Sequence, residues 1–291
     1  MAGVKILSID GGGIRGIIPA VWLDRWEQQS GVSVASAFEL IGGTSTGALI
    51  AICAALGMPM SQVVRFYEQR GAAIFTRREF PQTHDCLIHS KYGHEAVESV
   101  LQELLGAAKL SDARCPLLVP CVDLDTREAH FWKSDRAKKD ASFDAPMWFV
   151  GRCSTAAELY FDPSANRYTD GGTCANNPAM CLVAEALASG AALDAISVLS
   201  LGTGETREQP IRPINHGATG WLPFIADVFM DPTTSLVSFQ CAQILRERYT
   251  RQQWQLGAIS PAMDDASPAH IAALKAVALA SISTQPQGAH Q

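Results

Sequence analysis

The sequence predicts a three-layer α/β/α domain with a mostly parallel central sheet. Three observations carry that. Apolar β-rich runs alternate with helix-period segments at both ends of the chain. A glycine run follows the first such segment and leads straight into a helical pattern, and a second glycine cluster follows the next one. The 291 residues, 47% hydrophobic and 18% charged, supply ample core, and no linker-like stretch divides them. One domain over residues 1–291 is expected, with its motifs within 5–204 and a helical C-terminal part at 220–285.

Val4-Lys5-Ile6-Leu7-Ser8-Ile9 is the first strand and ends at Asp10. Gly11-Gly12-Gly13-Ile14-Arg15-Gly16 follows, then Ile18, Val21, Trp22 and Trp26 at helical spacing up to Gly31. Pro19 fits only in the first turn of that helix. Residues 38–41 read as the second strand and 46–56 as the helix after it, closed by Gly57 and Pro59. Ser61 suits an N-cap for the next helix. Residues 74–93 are polar and irregular, a lid or surface excursion. Ala96, Val97, Val100, Leu101, Leu104 and Leu105 give an amphipathic helix. Strands are expected at 117–122 and 130–132, and a helix at 145–157. Tyr168-Thr169-Asp170-Gly171-Gly172 is a short strand ending in a tight turn. Asn177 and Pro178 suit the cap and first position of another helix. Residues 195–201 form a buried strand closed by Gly202-Thr203-Gly204. Residues 235–245 and 269–283 look helical, with an edge strand at 252–256.

The net charge of −6 argues against a nucleic-acid partner. Eight cysteines show no Cys-x-x-Cys spacing, and nothing reads as a zinc or calcium motif, so reduced thiols and no metal or other cofactor are expected. The N-terminus runs into the first strand without a signal-peptide pattern, and 47–56 is too short an apolar run to span a bilayer. A cytoplasmic protein, able to touch a membrane peripherally, is the expectation.

Gly43-Thr44-Ser45-Thr46-Gly47 is the spacing of a serine at a sharp strand-to-helix turn, with small residues at minus two and plus two. The glycine run from Gly11 to Gly16 admits three functional readings. It has dinucleotide-binding spacing, but the second strand ends in Gly42-Gly43-Thr44-Ser45, not in the acidic residue that holds a ribose. Gly42 and Gly47 have the outer spacing of a P-loop, but Ala48 stands where the lysine belongs. A nest of backbone N–H groups serving an oxyanion is the third, and a plain glycine turn also fits. Asp170 sits at a strand end, where open parallel sheets place their ligand crevice, and it also suits simple turn-capping. A carboxylate there could take the proton of Ser45 directly, if burial raised its pKa or the oxyanion site carried much of the stabilisation. A Ser–His–Asp triad using His216 or His270 is the rival, but too few elements precede Ser45 for the usual hydrolase topology.

Five ordered blocks, Asp10-Gly11-Gly12-Gly13-Ile14-Arg15-Gly16, Gly43-Thr44-Ser45-Thr46-Gly47, Asp170-Gly171-Gly172, Ala175-Asn176-Asn177-Pro178 and Leu199-Ser200-Leu201-Gly202-Thr203-Gly204, resemble the patatin-like phospholipase family. The resemblance implies a lipid acyl hydrolase acting on phospholipid or other acyl-lipid substrates without metal. Ser45 would be the nucleophile and Asp170 the base. Gly11, Gly12 and Gly13 would supply the oxyanion N–H groups, with Gly16, Gly43, Gly47, Gly171 and Gly172 supporting the motifs. Arg15 would order the loop or meet a lipid phosphate. The family's breadth admits a membrane-degrading role, and a non-catalytic lipid- or nucleotide-binding module is the alternative. Glu158 departs from the pattern, standing where the family often has proline. Trp221-Leu222-Pro223-Phe224 and Met147-Trp148-Phe149 could touch a bilayer interface or simply pack in the core.

Overall fold

The structure is a computed structural model that describes residues 3–78, 89–206, 213, 220 and 225–282, with the backbone alone at 225–227, 229 and 282. Its strands are β1 (Val4–Ile9), β2 (Leu40–Gly43), β3 (Leu117–Asp123), β4 (Glu128–Lys133), β5 (Tyr168–Asp170), β6 (Ile196–Leu201) and β7 (Tyr249–Gln252). Its helices are α1 (Ile17–Ser30), α2 (Val34–Ala37), α3 (Thr46–Ala55), α4 (Met60–Ile74), α5 (His94–Leu105), α6 (Ser134–Lys139), α7 (Met147–Ser154), α8 (Gly172–Ala175), α9 (Ala179–Ala188), α10 (Ile225–Leu245) and α11 (Pro268–Ile282).

The strands form one sheet in the order β4-β3-β2-β1-β6-β7, and β5 also pairs with β3. The run from β3 to β7 is parallel, while β4 and β5 lie antiparallel to β3. Successive strand residues point to opposite faces. Leu7, Ile9, Ile41 and Val119 join a core with residues of α1, α3, α4, α5, α7 and α11. Ile6, Leu40, Leu118 and Val198 join a second core with α9 and α10. These are the three layers expected of the sequence.

β2 and β5 share one edge of β3. β2 takes its start, with Ile41 and Gly42 beside Leu117 and Leu118. β5 takes its far end, with Asp170 beside Cys121 and Tyr168 beside Asp123. Because β5 runs antiparallel to β3, its C-terminal end comes down to meet the C-terminal end of β2. The sequence places Asp170 at a strand end of a mostly parallel sheet, and β5 turns out to be antiparallel to its neighbour. Asp170 therefore faces the tip of β2 end-on.

Local details follow from packing. The second strand lies two residues later than expected, because Gly42 and Gly43 are themselves strand residues. A side chain at Gly42 would press on Leu182 of α9, 2.6 Å from its Cβ. Helix α4 begins at Met60 and not after a Ser61 cap. Glu27 of α1 accepts the Met60 N–H at 2.8 Å and satisfies that helix end from a distance. Gly31 closes α1 in the left-handed region, φ 68°, with its N–H on the Glu27 carbonyl. Pro178 takes the cap position of α9, while the Asn177 side chain accepts the Ala179 N–H at 3.0 Å. The helix expected at 145–157 is trimmed to 147–154. The edge strand is 249–252, not 252–256, and α10 starts ten residues before its expected N-terminus. Cys53, Cys115, Cys121, Cys153, Cys174, Cys181 and Cys241 are free thiols. Among the described residues no helix is long and apolar enough to cross a membrane.

Candidate active site

Ser45 stands between β2 and α3 with φ 55° and ψ −122°, a conformation that ordinary residues seldom adopt. The strain is held in place from several sides. The Ser45 N–H donates to the Ser154 hydroxyl at 2.9 Å, and that hydroxyl donates to the Pro120 carbonyl at 2.7 Å. The Thr44 hydroxyl donates to the Ala175 carbonyl at 2.6 Å. A Cβ at Gly43 would overlap the Gly47 carbonyl, and one at Gly47 would overlap the Ile9 carbonyl. The elbow therefore needs both glycines for close backbone approach. A Cβ at Gly16 would meet side chains instead, the hydroxyls of Thr46 and Tyr67.

The Ser45 hydroxyl donates to Asp170 Oδ2 at 2.7 Å. The Gly172 N–H donates to Asp170 Oδ1 at 2.6 Å. A Cβ at Gly171 would overlap the Pro120 carbonyl, so only glycine fits there. Asp170 is buried, and burial pushes its carboxyl up to about 7; the bonds from Gly172 and Ser45 only partly offset that, and nearby Glu158 adds to it. Glu158, which departs from the pattern, accepts the Thr169 and Thr173 hydroxyls at 2.8 and 2.7 Å. It thus ties together the residues on either side of Asp170.

The glycine loop lies on the other side of Ser45. Its three glycines are not equivalent. The Gly11 N–H donates to the Asn176 carbonyl at 3.1 Å and is already committed. The N–H groups of Gly12 and Gly13 have no partner among the described residues, and both glycines line the cavity that holds Ser45 and Asp170. The pair available to a developing oxyanion is thus Gly12 and Gly13. Gly13 has φ 59°, and a side chain there would overlap the Met263 carbonyl, which accepts the Ile14 N–H at 2.8 Å. Arg15 turns back on the loop: its Nε reaches the Gly12 carbonyl and its Nη1 the Gly204 carbonyl, each at 3.4 Å.

The cavity has a volume of about 740 Å³. Its polar end is formed by Gly12, Gly13, Ser45 and Asp170, and Ile14, Leu49, Ile74, Phe75, Val97 and Phe161 make its wall apolar. A polar end with two free donors and a hydroxyl–carboxylate pair suits acyl transfer, and the apolar wall suits a hydrocarbon chain. Part of the expected lid, residues 79–88, lies outside the described residues. The stretch after it is tied to the cavity wall, where the Lys91 and Tyr92 N–H groups donate to the carbonyls of Leu159 and Tyr160 at 2.9 and 2.8 Å.

No described histidine lines this cavity. His270 is buried at the start of α11, its backbone N–H on the Ser267 hydroxyl. His216 lies outside the described residues, as do Trp221, Leu222, Pro223 and Phe224. Met147 is fully buried, while Trp148 and Phe149 are partly buried and pack against the core, ring against ring at 5.9 Å. Among the described residues no cluster of three His, Cys, Asp or Glu side chains could hold a metal ion. Sequence reasoning missed Ser154, Met263 and Thr203, whose hydroxyl donates to the Gly11 carbonyl at 2.7 Å. The last lies in a noted glycine block, but only the fold reveals what its hydroxyl touches.

Comparison with known proteins gives a consistent picture. The family model described as patatin-like phospholipase matches residues 7–183. Patatin-like protein 2 of Arabidopsis thaliana is 28% identical over 86% of this chain and 74% of its own length. The intracellular phospholipase A2 of Caenorhabditis elegans is also 28% identical, over 80% of this chain but only 23% of its own length. The crystal structure of VipD from Legionella pneumophila superposes with a TM-score of 0.51, covering 97% of this chain and 67% of that one. At 12% identity that likeness concerns the fold alone.

Proposed function

The chain belongs to the patatin-like phospholipase family, and on that premise we propose that it is a lipid acyl hydrolase in which Ser45 is the nucleophile and Asp170 the general base. The observation that carries the reading is the 2.7 Å bond from the Ser45 hydroxyl to Asp170 at the polar end of an apolar cavity. Ser45 Oγ attacks the ester carbonyl carbon while its proton passes to Asp170 Oδ2. The carbonyl oxygen, now negative, takes the Gly12 and Gly13 N–H groups. The bond to the leaving alcohol breaks, and the alcohol oxygen takes the proton back from Asp170. Water then attacks the acyl-enzyme, giving its proton to Asp170, and the fatty acid leaves as Ser45 regains its hydrogen. The apolar wall supports a fatty acyl chain as the group transferred. The reading takes residues 1–291 as one functional unit.

A lipid panel tests it: phospholipids, lysophospholipids and neutral acyl esters are incubated with wild type, Ser45→Ala and Asp170→Asn, and products are weighed by mass spectrometry. Wild type is expected to release fatty acid, and each variant to lose activity by a factor on the order of a thousand or more while staying folded. Full activity in either variant would rule out the dyad.

A further inference from the structure

We propose that Thr203 is a positioning residue that aims the Gly12 N–H at the oxyanion; the inference rests on the reading of Ser45 as nucleophile. A peptide unit is planar and trans, so its carbonyl and its N–H point in opposite directions. The carbonyl of Gly11 and the N–H of Gly12 belong to the same unit. The Thr203 hydroxyl donates to that carbonyl at 2.7 Å in a buried position. Whatever fixes the Gly11 carbonyl thereby fixes the Gly12 N–H.

The sheet order supplies the direction. β1 lies between β2 and β6. Thr203 follows β6 and Ser45 follows β2, so the two residues flank the glycine loop on opposite sides. A carbonyl held toward Thr203 therefore sends the N–H toward Ser45. The loop has need of such an anchor. Consecutive glycines leave its peptide units free to rotate, since no Cβ restricts them, and a rotated unit would present a carbonyl oxygen to a developing negative charge. Thr203 is itself fixed on both sides. The Gly202 N–H donates to the Gln252 carbonyl, and the Gly204 N–H to the Gln253 side chain, each at 2.9 Å. The match is mutual: a Cβ at Gly12 would lie 2.7 Å from Thr203 Cβ, so only glycine leaves room for the threonine. The next unit is held in the same manner, because the Gly12 carbonyl takes the Arg15 N–H and guanidinium, which points the Gly13 N–H the other way.

A structural role alone, satisfying one buried carbonyl, would touch stability and leave kinetics of the folded protein unaltered. Steady-state hydrolysis of a soluble acyl ester by Thr203→Val and Thr203→Ser separates the two. Valine keeps the shape and removes the donor; serine keeps the donor. For Thr203→Val, kcat is expected to fall about 10- to 100-fold with KM within about twofold, since an oxyanion donor acts in the transition state. Thr203→Ser is expected to stay within about threefold of wild type. A trifluoromethyl ketone with the same acyl chain, whose serine adduct carries an oxyanion, should lose affinity in parallel with kcat. Should the valine variant not fold, Thr203→Ala is measured in its place with the same expectation. Unchanged kcat in the folded donor-less variant, a change confined to KM, or equal losses in the serine and valine variants would each overturn the assignment. A wild type that hydrolyses through Ser45 while Thr203→Val keeps its kcat overturns this inference only; a wild type that hydrolyses no ester overturns the proposed function with it.

Discussion

As the proposed base, Asp170 has a side chain that is normally too weak. Burial answers the difficulty by pushing its carboxyl from 3.8 to about 7. The carboxyl accepts a proton only when ionised, so kcat/KM is expected to rise with pH through about 7 and level off above it, with no histidine needed to explain the limb. The same shift acts on stability. Between about 4 and 7 the unfolded chain has released this proton and the folded chain still holds it, so folding loses free energy as pH rises across that window. Asp170→Asn removes the titration. Its melting temperature should exceed that of wild type by a few degrees at about pH 8, and the gain should vanish near pH 3.5. Calorimetry at the two pH values checks this; an equal gain at both would mean that Asp170 is not held protonated by burial. At this scale the sequence was most informative. Ser45 stood out because glycines bracket it and Asp170 because two glycines follow it, and glycine spacing is a direct record of backbone constraint. Thr203 and Ser154 did not stand out, and Glu158 did so only as a departure from the family pattern, because a hydroxyl or carboxyl reveals its use only through its partner.

The elbow between β2 and α3 is the element that presents Ser45, and its glycines are tested by their loss. A methyl group at Gly47 would be driven into the Ile9 carbonyl and lie 2.6 Å from that of Asp10, both backbone atoms that cannot rotate away. Gly47→Ala is expected to cost about 2–4 kcal/mol, measured by urea unfolding, and to abolish hydrolysis by displacing the serine. A cost below about 0.5 kcal/mol would mean that the elbow relaxes. Periodicity located most helices and strands, since an amphipathic helix such as α5 or a buried run such as β6 writes its own pattern. It failed at ends. Met60 begins α4 because Glu27 of another helix accepts its N–H, and α10 runs on past Pro232 toward the N-terminus. Such terminations depend on neighbours, not on local spacing.

Across the whole molecule, the site is completed by chain well beyond the segment that defines the family. Arg251 on β7 reaches over β6 to hold both carboxylate oxygens of Asp10, at 2.9 and 2.5 Å, and donates to the Ser200 hydroxyl at 2.8 Å. Asp10 is the residue from which the glycine loop departs. Asp10 is buried and Arg251 partly so, and removing the arginine strands the carboxylate. Arg251→Met is expected to lower stability by about 3–5 kcal/mol in chemical denaturation, with Asp10→Asn in the same chain recovering part of it. A loss under 1 kcal/mol would show that water reaches and compensates Asp10. The Met263 carbonyl, still further along the chain, fixes the Ile14 N–H and closes the other flank of the loop.

The sequence by itself determined the layered α/β architecture, the elbow serine, the glycine loop and the aspartate before two glycines. Each is encoded locally, by hydrophobic period or by the few residues that a tight backbone tolerates. Only the tertiary structure decided that β5 turns back along β3 so that Asp170 meets Ser45 end-on, and that Gly11 spends its N–H while Gly12 and Gly13 keep theirs. Only it decided which distant hydroxyls and carbonyls hold those groups in place. Strand direction and hydrogen-bond partnership are properties of pairs far apart in the chain, and no single stretch of residues records them.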